Sequence, residues 1–356
     1  MDKNTKIYVA GHSGLVGSAI VRKLKTLGYS NLVLRSSSDL DLRNQDSVQR
    51  FFTREKPDIV FLAAARVGGI LANNTYRATF IYDNLMIAAN VIHAAYTSGV
   101  QRLLNLGSSC IYPRNAVQPL REDSLLTGVL EQTNEPYAIA KIAAIKLCDS
   151  YNRQHGTKFL SAMPTNLYGP HDNFNLETSH VLPGLIRKFL LARFMAEGDD
   201  ESLLQDVQAR ALGFGFTSTT SAAEVKRFLK SIGVTPERVS LWGSGTPRRE
   251  FLHVDDLAEA CMKLIGREPA DIGELINVGT GNDLTIAELA SLMQDLTKFP
   301  GEVVFDRTRP DGTPRKLLDT SRITAIGWKP AISLRDGIET TIRWYSQTLT
   351  AAPQSA

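Results

Sequence analysis

The feature that most constrains this chain is a glycine-spaced turn, Gly11-His12-Ser13-Gly14-Leu15-Val16-Gly17. It lies between a compact apolar run, Ile7–Ala10, and a segment whose Val16, Ile20, Leu24 and Leu27 share one helical face. Glycines at this spacing let the chain reverse sharply after a strand. They also bring backbone N–H groups close to an anion at a helix N-terminus, where the helix dipole favours negative charge. A glycine pattern alone also fits an ordinary tight turn. A strand before it, a helix after it and further strands at regular intervals make a dinucleotide-binding loop the stronger reading.

Those further strands are present. Asn31–Leu34, Asp58–Ala63, Arg102–Leu106 and Phe159–Met163 are short and apolar. Helix-patterned stretches separate them: one that Ser47 is expected to cap, ending near Glu55, and two long ones at 78–98 and 135–154, each closed by a glycine. Such alternation implies parallel βαβ units and a Rossmann-type, doubly wound α/β sheet. Residues 1–170 are expected to form the dinucleotide domain. Residues 171–346 should form mainly a smaller α/β substrate domain, with a helix at His180–Phe194, strands at Val239–Trp242 and Leu275–Val278, and helices at Asp255–Ile265, Ile286–Leu296 and Leu334–Ser346. The mixed stretch 196–238 reads as an insertion, either lid-like or a neutral surface excursion. Residues 347–356 read as a frayed tail.

Composition narrows the class. With 43% apolar and 22% charged residues and a formal charge of +3, the chain has no basic run to support nucleic-acid or membrane-surface binding. Three scattered cysteines form neither a disulfide framework nor metal-ligand spacing. The first residues lack a signal-peptide pattern, and no apolar stretch has the length of a membrane span, so a cytoplasmic location is expected.

The end of the second strand bears on cofactor choice. An NAD enzyme usually places a carboxylate there to hold the ribose hydroxyls. Here Arg35 and three serines precede the first acid, Asp39. Arg35 also reads as a solvated strand-end charge, but the group suits a 2′-phosphate and favours NADP(H).

Tyr137 and Lys141, four apart within a helix, project from one face. A lysine beside a phenol is expected to favour the phenolate, so that the tyrosine exchanges a proton with a carbonyl or alcohol oxygen. Gly107-Ser108-Ser109-Cys110 follows the fourth strand and supplies a hydroxyl. Ser108, Tyr137 and Lys141 behind a GxxGxxG loop form the short-chain dehydrogenase signature.

The strings VAGHSGLVGSAI, LAAARVGGILANNTYRATFIYDNL, LGSSCIYP, NEPYAIAKIA, MPTNLYGPHDNF, WGSGTPRREFLHVDD and PDGTPRKLLD together resemble the GDP-L-fucose synthase family of extended short-chain dehydrogenases. That resemblance implies a GDP-4-keto-6-deoxy-sugar substrate, epimerised at C3 and C5 and then reduced at C4. It implies Cys110 and His180 as the two proton-handling groups. Taken alone, the first reads as a small buried apolar side chain and the second as an ordinary helix-start residue. It further implies Leu106–Ser109, Pro164, Thr165, Asn166, Leu167 and His180 beside the nicotinamide, Lys141 on the ribose, and Lys188, Trp242, Arg249 and Asp311 on the GDP-sugar. Trp242 reads equally well as core. A homodimer through the two long helices follows from the same resemblance. Two departures stand out: Ser13 replaces an arginine common in the family, and the 188–242 connection exceeds the usual one by roughly forty residues, well beyond ordinary loop lengths. Close rivals are a GDP-L-colitose synthase and a plain 4-reductase or 4-epimerase. A non-catalytic NADP-binding protein would have little reason to keep Ser108, Tyr137 and Lys141 together.

Overall fold

Strands buried on both faces must be joined by helical crossovers, and the chain supplies them in order. The computed structural model describes residues 2–217, 219–309 and 311–350. The first half runs β1 (Ile7–Ala10), α1 (Leu15–Thr26), β2 (Leu32–Val33), α2 (Gln45–Glu55), β3 (Ile59–Leu62), α3 (Ile70–Thr75), α4 (Arg77–Thr97), β4 (Arg102–Leu106), α5 (Glu135–His155) and β5 (Phe159–Pro164). The second half continues with β6 (Asn166–Tyr168), α6 (Val181–Glu197), α7 (Asp200–Ala209), α8 (Ala222–Ser231), β7 (Arg238–Trp242), β8 (Arg248–His253), α9 (Val254–Ile265), α10 (Pro269–Ile272) and β9 (Leu275–Val278). It closes with β10 (Asp283–Thr285), α11 (Ile286–Thr297), β11 (Glu302–Asp306), β12 (Arg315–Lys316), α12 (Ser321–Ala325) and α13 (Leu334–Thr350).

The main sheet has the order β2-β1-β3-β4-β5-β9 and is parallel throughout. This is the expected doubly wound arrangement. Chain direction across the sheet reverses between β1 and β3, so a crevice opens outside the carboxyl ends of those strands, where ligands bind in such folds. Ile7, Val9, Phe61, Leu104 and Ala162 face α1 and α9, while Tyr8, Ala10, Val60, Leu62 and Leu103 face α2, α4 and α5. The last strand of the sheet, β9, comes from beyond residue 170, so the C-terminal half crosses back to finish the first layer.

A smaller sheet, with β8 between β10 and β12 and β6 also paired to β8, carries the C-terminal side of the molecule; β7 and β11 form a separate parallel pair. Their core includes Ile186, Leu190, Leu241, Met293 and Tyr345.

Three local expectations change. The cap of α2 is Asn44, not Ser47: its side chain accepts from Ser47 N at 2.9 Å, which places Ser47 inside the first turn. The stretch 196–238 is packed into the molecule and is not a surface excursion. Leu203, Val207, Leu212, Val225, Leu229 and Val234 are all buried within the C-terminal core. Six such side chains contribute roughly 10 kcal/mol of burial at about 1.5–3 kcal/mol each. Helix α13 continues through the start of the expected tail to Thr350, and 351–356 lie outside the described residues.

Candidate active site

The loop after β1 has a separate reason for each glycine. Gly11 has φ +80°, and a Cβ there would lie 2.7 Å from the backbone of Ala64, at the end of β3. A Cβ on Gly17 would meet Gly11 O at 2.0 Å, so α1 can pack against the turn only without one. Gly14 is different. Its φ of −78° and ψ of 175° suit any residue, and an added Cβ would touch the chain only at Gly11 O, 3.6 Å away. It caps α1 with no side-chain hydrogen bond, and no acid sits in that helix's first turn. Neither packing nor conformation within the chain calls for this third glycine, whereas a pyrophosphate on the helix N-terminus would. The cradle fits a dinucleotide.

At the end of β2, Arg35 donates to Leu34 O and to Glu55 Oε1, the latter at 3.0 Å. Ser36 and Ser38 share a hydroxyl contact of 2.7 Å, and Ser36 also holds Asp39. Charges on Arg35 and His12 reach Asp39, and the buried Nδ1 of His12 has no hydrogen-bond partner. Arg35, His12 and the serines thus surround one spot, although Arg35 is already partly neutralised and Asp39 adds a negative charge. Ser13 is exposed.

The catalytic candidates converge at the end of β4. Ser108 is extended and caps a short 3-10 turn, its Oγ accepting from Cys110 N at 3.4 Å. This turn places Cys110 against α5, whose Lys141 is buried and whose Tyr137 is half-buried. Lys141 Nζ donates to Leu106 O at 2.7 Å and lies 5.7 Å from the ring centre of Tyr137. The expectation from sequence, that Lys141 lowers the phenol pKa, is corrected here. Burial drives the Tyr137 phenol far above its usual range, and Cys110 adds to the effect. Burial also lowers Lys141 to about 8. A phenol kept protonated is a proton donor, the form that ketone reduction needs.

Burial raises the Cys110 thiol, while Lys316, a hydrogen bond from Ser108 and the charge of Lys141 pull it down. His180 caps α6 and is itself exposed; the protein packed around its ring, and then the charge of Lys316, push its imidazole pKa down. Lys316 therefore reaches both proton-handling candidates. No role was read for it in the sequence, where it was one letter within PDGTPRKLLD; its only sign was that string's family likeness. In the fold, β12 pairs with β8 so that Lys316 lies opposite Arg249.

Among the described residues, the ammonium groups of Lys188 and Lys316 have no hydrogen bond or ion pair. Arg249 donates only to the carbonyls of Arg248 and Thr313. Burial lowers all three. Half-buried cations without carboxylate partners suit a polyanionic ligand. Trp242 is 57% exposed, which removes its core reading, and Arg309 lies 5.1 Å from its ring centre. Asp311 is engaged internally, accepting from Ser244 N at 2.8 Å and Ser244 Oγ at 2.7 Å, and so fixes the turn beside Trp242. Thr165 and Asn166 both donate to Glu250 O, while Asn73 ties down Gly68 and Gly69. Leu167 and Pro164 lie where β6 leaves the main sheet.

The insertion meets this site through the loop before His180. Arg187 and Asp206, both fully buried, pair at 2.7 and 2.9 Å. Arg187 also donates to the carbonyls of Phe174, Arg210 and Ala211, and Tyr345 donates to Asp206. Leu176 N bonds Leu212 O at 3.0 Å, and Phe214 N bonds Glu177 at 2.6 Å. The strip 210–214 thus braces 174–177, three residues ahead of His180.

The model of the NAD dependent epimerase/dehydratase family matches residues 7–211 and 213–279, and the chain belongs to that family. Within it, the chain is 51% identical over 354 residues to putative GDP-L-fucose synthase 2 of Arabidopsis thaliana, covering 99% of this chain and 95% of that one. It is 48% identical over 347 residues to GDP-L-fucose synthase of Escherichia coli, with 96% of each covered. GDP-L-colitose synthase of Yersinia pseudotuberculosis is 33% identical over 341 residues, 96% of this chain and 97% of that one. A Campylobacter jejuni GDP-D-glycero-L-gluco-heptose synthase, solved in the presence of NADPH, superposes with a TM-score of 0.89 at 41% identity, over 97% of this chain and 99% of that one.

Proposed function

We propose that this protein is an NADPH-dependent epimerase and reductase that converts GDP-4-keto-6-deoxy-D-mannose to GDP-L-fucose. The observation that carries the reading is a buried cluster in which Ser108, Cys110, Tyr137 and Lys141 meet and Lys316 links Cys110 electrostatically to His180. Relatives named for this reaction match over nearly the full length at about half identity.

Gly11, His12, Ser13, Gly14, Leu15, Val16 and Gly17 would hold the pyrophosphate, Arg35 with His12 the 2′-phosphate, and Lys141 the ribose. Leu106, Gly107, Ser109, Pro164, Thr165, Asn166 and Leu167 would line the nicotinamide side. Bound NADPH supplies the hydride. A C4 ketone acidifies the hydrogens at C3 and C5, and Cys110 and His180 move protons at those carbons. Tyr137, protonated by virtue of its burial, donates to the C4 oxygen, and Ser108 adds a second hydrogen bond there. Lys188 and Arg249 balance the diphosphate, while Trp242 offers a face for the base. The exposed Tyr76, Tyr82 and Ile139 on or beside α4 and α5 support a homodimer through those helices. No helix among the described residues is long and apolar enough to cross a membrane, in keeping with a cytoplasmic enzyme.

The test offers GDP-4-keto-6-deoxy-D-mannose and NADPH in D2O. Loss of cofactor absorbance with deuterium at both C3 and C5 is expected. Reduction without label would leave a plain 4-reductase. Label at C5 alone would favour a colitose-type enzyme.

A further inference from the structure

Cys110 and Lys316 line one small cavity, of about 10 Å³, together with Tyr112, Glu131 and the stem of Arg315. Its size is about that of one water molecule. The cysteine is 6% exposed and belongs to the turn after β4. The lysine arrives from β12, which lies in a different sheet and more than 200 residues later in the chain. The charged and titratable groups around the sulfur can be named element by element. Tyr137 and Lys141 come from α5 and Lys316 from β12, Tyr112, Arg114, Glu131 and Arg315 stand on the cavity wall, and Arg249 on β8 and His180 at the start of α6 lie beside Lys316 rather than the sulfur. Glu131 is occupied, accepting from Thr133 N, Thr133 Oγ1 and Asn134 N. Arg315 is paired with Asp283 at 2.5 Å. Lys141 is committed to Leu106 O. Among the described residues, two cations on this cavity wall have no hydrogen bond or ion pair: Arg114, which is exposed, and Lys316, which is half-buried and so the one drawn into the pocket.

We infer that Lys316 is the positioning residue of Cys110: its ammonium, across the shared cavity, sets the acidity of the thiol so that the sulfur can exchange a proton with a ring carbon. This inference rests on the epimerase reading above. Whichever way the proton travels at that carbon, the sulfur must alternate between thiol and thiolate, while the carbon's electron pair waits as an enolate on the C4 oxygen. In a dry pocket a lone thiol resists ionisation, because burial disfavours the charged form. An adjacent cation offsets that penalty, and the offset is larger where water is excluded. The same cation repels a proton on His180, so one lysine disfavours the protonated form of both groups. The lysine acts through Cys110 and takes no proton itself.

The test follows the thiolate of Cys110 directly, as the ultraviolet thiolate absorbance of the full-length protein minus that of its Cys110→Ser variant, across pH and without substrate. Burial pushes Cys148 and Cys261 up to about 12, so they stay silent over the range used. Lys316→Met is expected to raise the midpoint by a unit or more, which is about a tenfold loss of thiolate at neutral pH. Lys316→Arg should keep most of the wild-type midpoint. Lys316→Gln is measured alongside, in case the methionine variant does not fold. An unmoved midpoint in a folded variant, with only a weaker KM for the GDP-sugar, would overturn the inference and leave Lys316 as a phosphate anchor. Because the titration contains no sugar nucleotide, its outcome is separate from that of the D2O labelling test.

Discussion

The glycine loop at the head of α1 and the strip 199–235 both support a functional group, but they do so by opposite means. The loop works through absence. Three side chains are missing, two so that the chain can fold on itself and one where the chain itself leaves room. The strip works through presence, with a buried cation, a buried carboxylate and a phenol locked together behind the loop that carries His180. The loop needs only its own seven residues and the ends of β1 and β3. The strip draws on residues from α6, α7 and α13. Locally encoded support survives substitution elsewhere, whereas support encoded at a distance fails if any one partner is lost.

The sharpest test of the contrast is chemical. Tyr137→Phe is expected to lower kcat by about 10²–10⁴-fold. NADPH binding, measured by fluorescence titration, should persist, because the cradle lies elsewhere. Loss of binding as well would mean that the two ends of the site are not separable. Next in size, Asp206→Ala strands Arg187 as an uncompensated buried charge, and should cost about 3–5 kcal/mol in denaturant unfolding. Asp206→Asn should cost less. A cost near zero for Asp206→Ala would show the strip to be ornamental. The two glycines then give an internal comparison. Gly17→Ala should destabilise the fold, since its Cβ would fall 2.0 Å from Gly11 O. Gly14→Ala should leave the melting temperature unchanged yet weaken NADPH about tenfold, close to 1.4 kcal/mol. Equal effects of the two would remove the argument for a pyrophosphate there.

The smallest effect is one of pH. Lys141 titrates at about 8 in the folded chain, below the roughly 10.4 of an exposed lysine. Between those values the unfolded chain binds more protons, so this group adds stability as pH rises through that window and loses it as pH falls through about 8. Unfolding of wild type against Lys141→Met across pH 7–10 should show this slope in the wild type alone.

The first half was legible because its signals are short in range. The Ile7–Ala10 strand, the glycines beside it and the four-residue spacing of Tyr137 and Lys141 depend on near neighbours. Where burial enters, the reading fails even at short range. The proximity of Lys141 suggested an acidic phenol, but the dry setting of α5 outweighs it and keeps the proton on Tyr137. Capping shows the same limit on a small scale, because Asn44 and Ser47 are both competent and only the backbone path decides between them. Asp206 could not be read at all. Its partners lie 19 residues upstream and 139 downstream, and in sequence it is one more acid in a polar helix. Lys316 was hidden for the same reason, since Arg249 comes opposite it only by strand pairing and Cys110 meets it only across a cavity between the two sheets' elements.

The Arg187–Asp206–Tyr345 knot also limits how this protein can change over time. Changing Asp206 alone would leave a buried guanidinium with only carbonyl partners, so Arg187 and Asp206 can be exchanged safely only together. Arginine, aspartate and the C-terminal helix are in effect inherited as one unit, although more than a hundred residues separate its ends.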